Sequence, residues 1–209
     1  MTAGPLVAVL DYGIGNLRSA QKSLERIGAD ARLTADRGLV ADAAALVLPG
    51  VGNFGRCMEA LRDARLDDVA LDAIAGGRPF LGICVGMQML FAGSDECPGA
   101  TGLGVLPGTV RWLPATVKRP QMQWNVLHPT RAGSLFASAD DRPWAYFLHS
   151  FHAVPEDPAV IAATCQYGGP VVAAVEQGNV AAVQFHPEKS AAAGLALLAR
   201  WTATIAVAA

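Results

Sequence analysis

Apolar and polar positions along this chain follow two different rhythms. In the first half, short apolar runs end in glycine-bearing turns and alternate with stretches whose apolar residues recur every three or four positions. Residues 5–10 form such a run and end at Asp11-Tyr12-Gly13-Ile14-Gly15-Asn16. Leu17, Ala20, Leu24 and Ile27 then share one helical stripe, which Gly28 stops. Residues 43–48 are a second buried-strand candidate, ending at Pro49-Gly50-Val51-Gly52. Two short helical segments lead to Gly76-Gly77, a third apolar run covers 79–83, and a helix-prone run covers 85–91. This alternation predicts an α/β fold with an open, mostly parallel sheet and helices on both faces. Ligands of such sheets sit beyond the carboxyl ends of the strands, so the turns at Gly13, Gly50 and Gly82 are expected to converge.

The second half is richer in strand patterns. Residues 109–113, 123–127, 145–148, 160–165, 171–176 and 180–185 are strand candidates, which adds antiparallel strands to the sheet. Gly178-Asn179 marks a hairpin turn. Residues 190–206 close the chain as a helix, with Leu195, Leu198, Trp201 and Ile205 on one stripe. With no linker, repeat or low-complexity stretch, a single domain over 1–209 is expected.

Composition narrows the classes of partner. The 209 residues are 52% hydrophobic and 16% charged, enough for a substantial core. A net charge of -2 gives no reason to expect nucleic acid or an anionic membrane surface. Cys57, Cys84, Cys97 and Cys165 show no C-x-x-C pairing, which argues against a zinc site or a disulfide framework. With no basic leader or cleavage signal, this cysteine usage predicts a protein of the reducing cytoplasm. The apolar C-terminal stretch is interrupted by Arg200 and two threonines and is expected to be an amphipathic helix, not a membrane span.

The chemistry concentrates at Gly82-Ile83-Cys84-Val85-Gly86-Met87-Gln88, a cysteine counterpart of the G-x-S-x-G nucleophile elbow. Glycines two residues to either side relieve crowding in a tight strand-to-helix turn. A thiol there sits at a helix N-terminus, where free N–H groups and the helix dipole favour thiolate. Buried structural cysteine is the common case, and the other three cysteines lack this context and are assigned to packing.

A thiolate nucleophile needs a proton shuttle and a group to orient it. Among His128, His149, His152 and His186, the last directly follows an apolar run, with Pro187 fixing the turn and Glu188 two residues on. Cys84, His186 and Glu188 are therefore a candidate triad; a capping histidine beside a solvated glutamate is the plain alternative. Pro49-Gly50-Val51-Gly52 can present backbone N–H groups to an oxyanion, together with the N–H of Val85. It lacks the Gly-Lys-Ser/Thr of a phosphate loop.

The elbow with His186-Pro187-Glu188 resembles the class I, triad-type glutamine amidotransferases. The segments Asp11–Asn16, Pro49–Gly52, Trp124-Asn125, Tyr146–Ser150 and His186–Ser190 resemble the glutaminase subunits of imidazole glycerol phosphate synthases, in histidine biosynthesis. The resemblance implies the flavodoxin-like fold of that class and hydrolysis of glutamine through a Cys84 thioester. It implies an oxyanion hole from Val51, Gly52 and Val85, and glutamine contacts from Gln88, Ser150 and Phe151. No cofactor or metal is implied. Ammonia would pass to a (β/α)8-barrel cyclase subunit in a heterodimer, with Asn16, Trp124, Tyr146 and Lys189 near the interface and the oxyanion turn completed on engagement. One position departs from the family pattern: Gln123 stands where glycine usually precedes the Trp-Asn pair. Two alternatives stay open, a glutaminase serving pyridoxal phosphate, anthranilate or purine synthesis, and a redox-sensing relative with an elbow cysteine.

Overall fold

A computed structural model describes residues 4–205. The first half builds four βα-type steps: β1 (Leu6–Leu10), α1 (Leu17–Arg26), β2 (Asp30–Thr34), α2 (Arg37–Asp42), β3 (Ala45–Gly50), α3 (Phe54–Asp63), α4 (Asp67–Ala75), β4 (Phe80–Cys84) and α5 (Val85–Gln88). The second half supplies β5 (Gly108–Trp112), β6 (Gln121–Val126), β7 (His128–Pro129), β8 (Trp144–His149), β9 (Phe151–Pro155), β10 (Ile161–Gln166), β11 (Pro170–Gln177), β12 (Val180–Val183) and α6 (Ala191–Thr202).

Eight strands form one sheet in the order β2-β1-β3-β4-β12-β11-β10-β7. Pairings from β2 through β12 are parallel, and those from β12 to β7 are antiparallel. Every residue of β3, β4 and β12 is buried, as expected of parallel strands covered on both faces. Two separate ribbons, β5–β9 and β6–β8, take up the remaining strands.

The expected elements are present with shifted ends. The hairpin turn Gly178-Asn179 joins β11 to β12, with Gly178 at φ +57°, and the Asn179 side chain donates to Ile74 O and Arg78 O. Leu17, Ala20 and Leu24 are buried as a stripe. In α6 the buried stripe is Gly194, Leu197, Leu198 and Trp201, with Leu195 only half-buried; the helix expected over 190–206 ends at Thr202 and turns carry the chain to Ile205, residue 206 lying outside the described residues. The helix expected over 85–91 is shorter: regular α-helix ends at Gln88 and looser turns carry the chain to Phe91. Sequence patterning did not announce β2 or β9, the first a charged edge strand, the second a five-residue segment containing His152 and Pro155.

The turn between β4 and α5 is set by backbone packed against backbone. An added Cβ on Gly86 would lie 1.8 Å from Leu48 O, and one on Gly82 would lie 2.9 Å from Gly86 O. The first contact leaves no room for any side chain. Gly86→Ala is expected to destabilise the chain by about 3 kcal/mol, a fall of roughly 6–12 °C in melting temperature. Thermal unfolding followed by circular dichroism checks this, and an unchanged melting point would contradict the packing.

Candidate active site

Cys84 is the last residue of β4 and the N-cap of α5, with φ +57° and ψ −112°. A non-glycine residue there is strained by about 1–3 kcal/mol and persists only where its surroundings over-determine it. They do so here, because parallel pairing places Gly50 of β3 beside Cys84. On the other side Val183 pairs with Ile83, so the register puts Gln184 next to Cys84. Since α5 spans only four residues, the helix dipole acting on the sulfur is smaller than the sequence suggested. The unbonded N–H groups of the first turn, Val85 included, remain.

His186 follows β12 in extended backbone, and its N–H donates to Tyr146 O at 3.0 Å. Its Nδ1 donates to Glu188 Oε1 at 2.8 Å, and both side chains are 3% exposed. That bond fixes the tautomer and leaves Nε2 for the nucleophile. Burial alone would push the imidazole pKa down, but pairing with Cys84 and Glu188 outweighs it and raises the value to about 10. Asn16 Nδ2 also donates to Glu188 Oε1, at 3.3 Å. The interface candidate Asn16 is thus in contact with the triad carboxylate.

The turn after β3 is held from behind. Tyr12, kept protonated by burial, donates to Pro49 O at 2.6 Å. Burial pushes the Cys57 thiol up to about 11, and its S–H donates to Val51 O at 3.4 Å. The glycine turns after β1, β3 and β4 therefore do converge, through Tyr12, Gly50 and Gly86.

A cleft of about 230 Å³ opens at these strand ends, lined by Val51, Gly52, Cys84, Val85, Gln88, Ser150, Phe151 and His186, together with Glu96 and His149. The predicted oxyanion and substrate residues meet there with Cys84 and His186, while Glu188 lies behind His186, outside the lining. Trp124, Tyr146 and Lys189 do not line it. Trp124 and Tyr146 pair across β6–β8 with rings 6.1 Å apart, and Met122 pairs with Leu148 on the same face. Met122 is 63% and Trp124 44% exposed, an uncovered apolar face beside the site. Gln123 is exposed, so its longer side chain finds room in solvent. A second, mostly apolar cleft of about 260 Å³ between β8 and α6 contains none of the triad residues.

The chain matches the glutamine amidotransferase class-I family over residues 8–202. It belongs to that family. It is 46% identical to the imidazole glycerol phosphate synthase subunit HisH of Geobacter sulfurreducens, covering 92% of this chain and 95% of the relative. Identity to the same subunit of Deinococcus radiodurans is 46%, over 98% and 96%. Among solved structures, a glutamine amidotransferase aligns with TM-score 0.75 at 22% identity, over 95% of this chain and 99% of that one. PurLQS from Thermotoga maritima aligns with TM-score 0.72 at 20% identity, over 95% of each. These likenesses show the class I glutamine amidotransferase fold.

Three polar residues of this candidate site carry no clear signal in the sequence. Glu96 lines the cleft while its Oε2 accepts from Phe54 N at 2.7 Å; its signal, one acid in Asp95-Glu96, was weak. Gln184, wholly buried, contacts Cys84 Sγ at 3.8 Å, and its position two residues before His186 was the available clue. His149 is buried, with Nδ1 2.7 Å from Phe151 O and Nε2 2.9 Å from the Gln121 amide. Burial lowers its pKa to about 4 and keeps it neutral. Nδ1–H then donates to Phe151 O and Nε2 must accept. The Gln121 amide meets this with its NH2 turned toward His149 and its oxygen toward the Cys165 thiol.

A histidine whose folded-state value lies below its unfolded one leaves the unfolded chain binding more protons between the two. Stability is therefore expected to fall as pH drops from about 6.5 toward 4. His149→Gln, which keeps an N–H for Phe151 O, is expected to flatten that acid slope in melting temperature. A variant as acid-sensitive as the parent would rule His149 out as its source.

Proposed function

We propose that this chain is the glutaminase subunit of an imidazole glycerol phosphate synthase, hydrolysing glutamine and handing ammonia to a (β/α)8-barrel cyclase in histidine biosynthesis. The observation that carries the reading is the meeting of Cys84 and His186 at one cleft, with Glu188 bonded to His186 from behind, in a chain close in sequence to HisH subunits over nearly its whole length.

The cleft suits an amino acid with a side-chain carboxamide. Glu96 is the carboxylate in its lining, suited to the ligand's α-ammonium. Leu113 N donates to Ser150 O, which sets the phase of the β5–β9 ladder. Phe151 then falls at a non-bonded position, and its N–H faces away from β5, on the side where its carbonyl meets Gln88. That free donor suits the α-carboxylate.

The reaction follows from these positions. The Cys84 thiolate attacks the carboxamide carbon, and the oxyanion is received by Val85 N–H and an N–H from the Val51-Gly52 turn. His186, held by Glu188, transfers a proton to the departing nitrogen, releasing ammonia and leaving a γ-glutamyl thioester. His186 then takes a proton from water as that water attacks the thioester, giving glutamate and free Cys84. Ammonia released into bulk water would be protonated and lost as a nucleophile. The exposed Met122, Trp124 and Leu148, with the half-buried Tyr146 among them, lie next to the His186–Ser190 turn that carries Lys189 and meets Asn16, which supports docking of the cyclase there.

Glutamate release with and without the cyclase and its ligand tests this. Hydrolysis is expected to rise strongly in the complex, and Cys84→Ala to lose about 10³-fold or more of the rate. A glutamine-analogue electrophile is expected to label Cys84 stoichiometrically. Full activity in Cys84→Ser would overturn the assignment. Glu96→Gln keeps an acceptor for Phe54 N–H but removes the charge; it is expected to raise KM for glutamine about tenfold, with a smaller effect on kcat. An unaltered KM would remove Glu96 from substrate binding.

A further inference from the structure

Gln184 is wholly buried and lies one residue beyond β12. Alternate side chains of extended backbone share a face, so Gln184 and His186 both reach toward Cys84, while Phe185 packs against Phe147. Its Nε2 is 3.8 Å from Cys84 Sγ, and its Oε1 accepts from Gln88 Nε2 at 3.0 Å. The same Gln88 nitrogen donates to Phe151 O at 3.2 Å. These bonds fix both amides. A backbone carbonyl only accepts, so Gln88 must turn its NH2 to Phe151. Its second hydrogen then requires the Gln184 oxygen, which forces the Gln184 NH2 toward sulfur. His149 secures the far end by donating to the same Phe151 carbonyl.

An amide N–H aimed at sulfur matters little to a thiol and far more to a thiolate, because hydrogen bonds to ionised acceptors are roughly twice as strong. The short α5 leaves the elbow with little dipole support, so a dedicated donor has a clear role. We propose that Gln184 is a positioning residue that stabilises the Cys84 thiolate and holds its sulfur toward the substrate carbonyl, with Gln88 anchoring it from the glutamine-binding side. The inference deepens the glutaminase reading and rests on it for the substrate, though not for the contact itself.

Gln184→Met and Gln184→Glu preserve side-chain length and remove the donor. Alkylation of Cys84 by iodoacetamide, followed by mass spectrometry of the Cys84 peptide across pH, gives a midpoint for each full-length chain. The midpoint is expected to rise by about one unit in Gln184→Met, and further in Gln184→Glu, where a carboxylate opposes the thiolate. In the assembled enzyme kcat for glutamine hydrolysis is expected to fall about tenfold or more, with KM within about twofold. A merely structural role would lower melting temperature without moving the midpoint, and unmoved midpoints in both folded variants overturn the proposal. If neither variant folds, Gln88→Met decides, since it frees the Gln184 oxygen. A smaller upward shift supports the relay and no shift overturns it. An unmodified chain whose Cys84 alkylates normally but which, with its cyclase, hydrolyses no glutamine would sink the glutaminase reading and leave the Gln184 contact standing.

Discussion

The constraint on which the site depends is steric: Gly86 lies so near the Leu48 carbonyl that no side chain fits between α5 and β3. That approach lets the chain reverse within one residue and holds Cys84 at positive φ. Hydrogen bonding alone would not keep a cysteine in that region, because relaxing it would be favourable by about 1–3 kcal/mol. The flanking parallel strands supply the resistance. β3 and β12 are fully buried on either side of β4, so the elbow cannot relax without breaking ladders in the centre of the sheet. The strain is concentrated where the sulfur must project, and its support is spread through the core.

The same register that secures the elbow assembles the chemistry. Cys84 and His186 are about a hundred residues apart, yet β4 and β12 are adjacent and parallel, so both strands end on the same edge. Alternation then selects which residues beyond β12 face the sulfur: Gln184 and His186 do, and Phe185 turns into the core. The surroundings are buried and polar groups are matched in sequence, from Gln121 through His149, the Phe151 carbonyl, Gln88 and Gln184. A chain of satisfied bonds in a poorly solvated site keeps each amide in one orientation, because a flip at any link would set two donors or two acceptors face to face.

Much of this was legible in the sequence because it depends on periodicity and on glycine. The buried runs of β1, β3 and β4, the α1 stripe, the elbow glycines and the His-Pro-Glu turn each carry a local signal. β2 carries only a faint one: Asp30-Ala31-Arg32-Leu33-Thr34 alternates, but over five residues with two charges and small or short apolar partners, and pairing with β1 makes it a strand. The length of α5 was overestimated for a similar reason. The run 85–91 is apolar because it is buried on all sides, and burial without a polar face says little about where a helix ends. Gln184, Glu96 and Gln121 were invisible because nothing local distinguishes a buried amide or acid that has partners from one on the surface. Their partners lie 100, 42 and 28 positions away in the chain.

The β6–β8 ribbon gives the site its second face. Tyr146 pairs outward with Trp124 through its ring, yet its backbone carbonyl accepts the His186 N–H and its backbone N–H donates to the Ser190 hydroxyl at 3.0 Å. Ser190 in turn donates to the His186 carbonyl at 2.7 Å. The turn bearing His186 is therefore clamped by a strand whose outer face is exposed and apolar. Asn16 makes a matching contact from α1, reaching the Glu188 carboxylate from the N-cap position. A partner seated on this face would meet side chains whose own backbones, or whose other atoms, already hold the triad. Covering the ribbon would exclude water from Trp124 and Tyr146 and strengthen the buried bonds behind them, since each becomes less screened as solvent withdraws. On that geometry a partner on the ribbon would meet a strand and two side chains already engaged at the site, Leu148, which lines the cleft, and Asn16, which holds the Glu188 carboxylate.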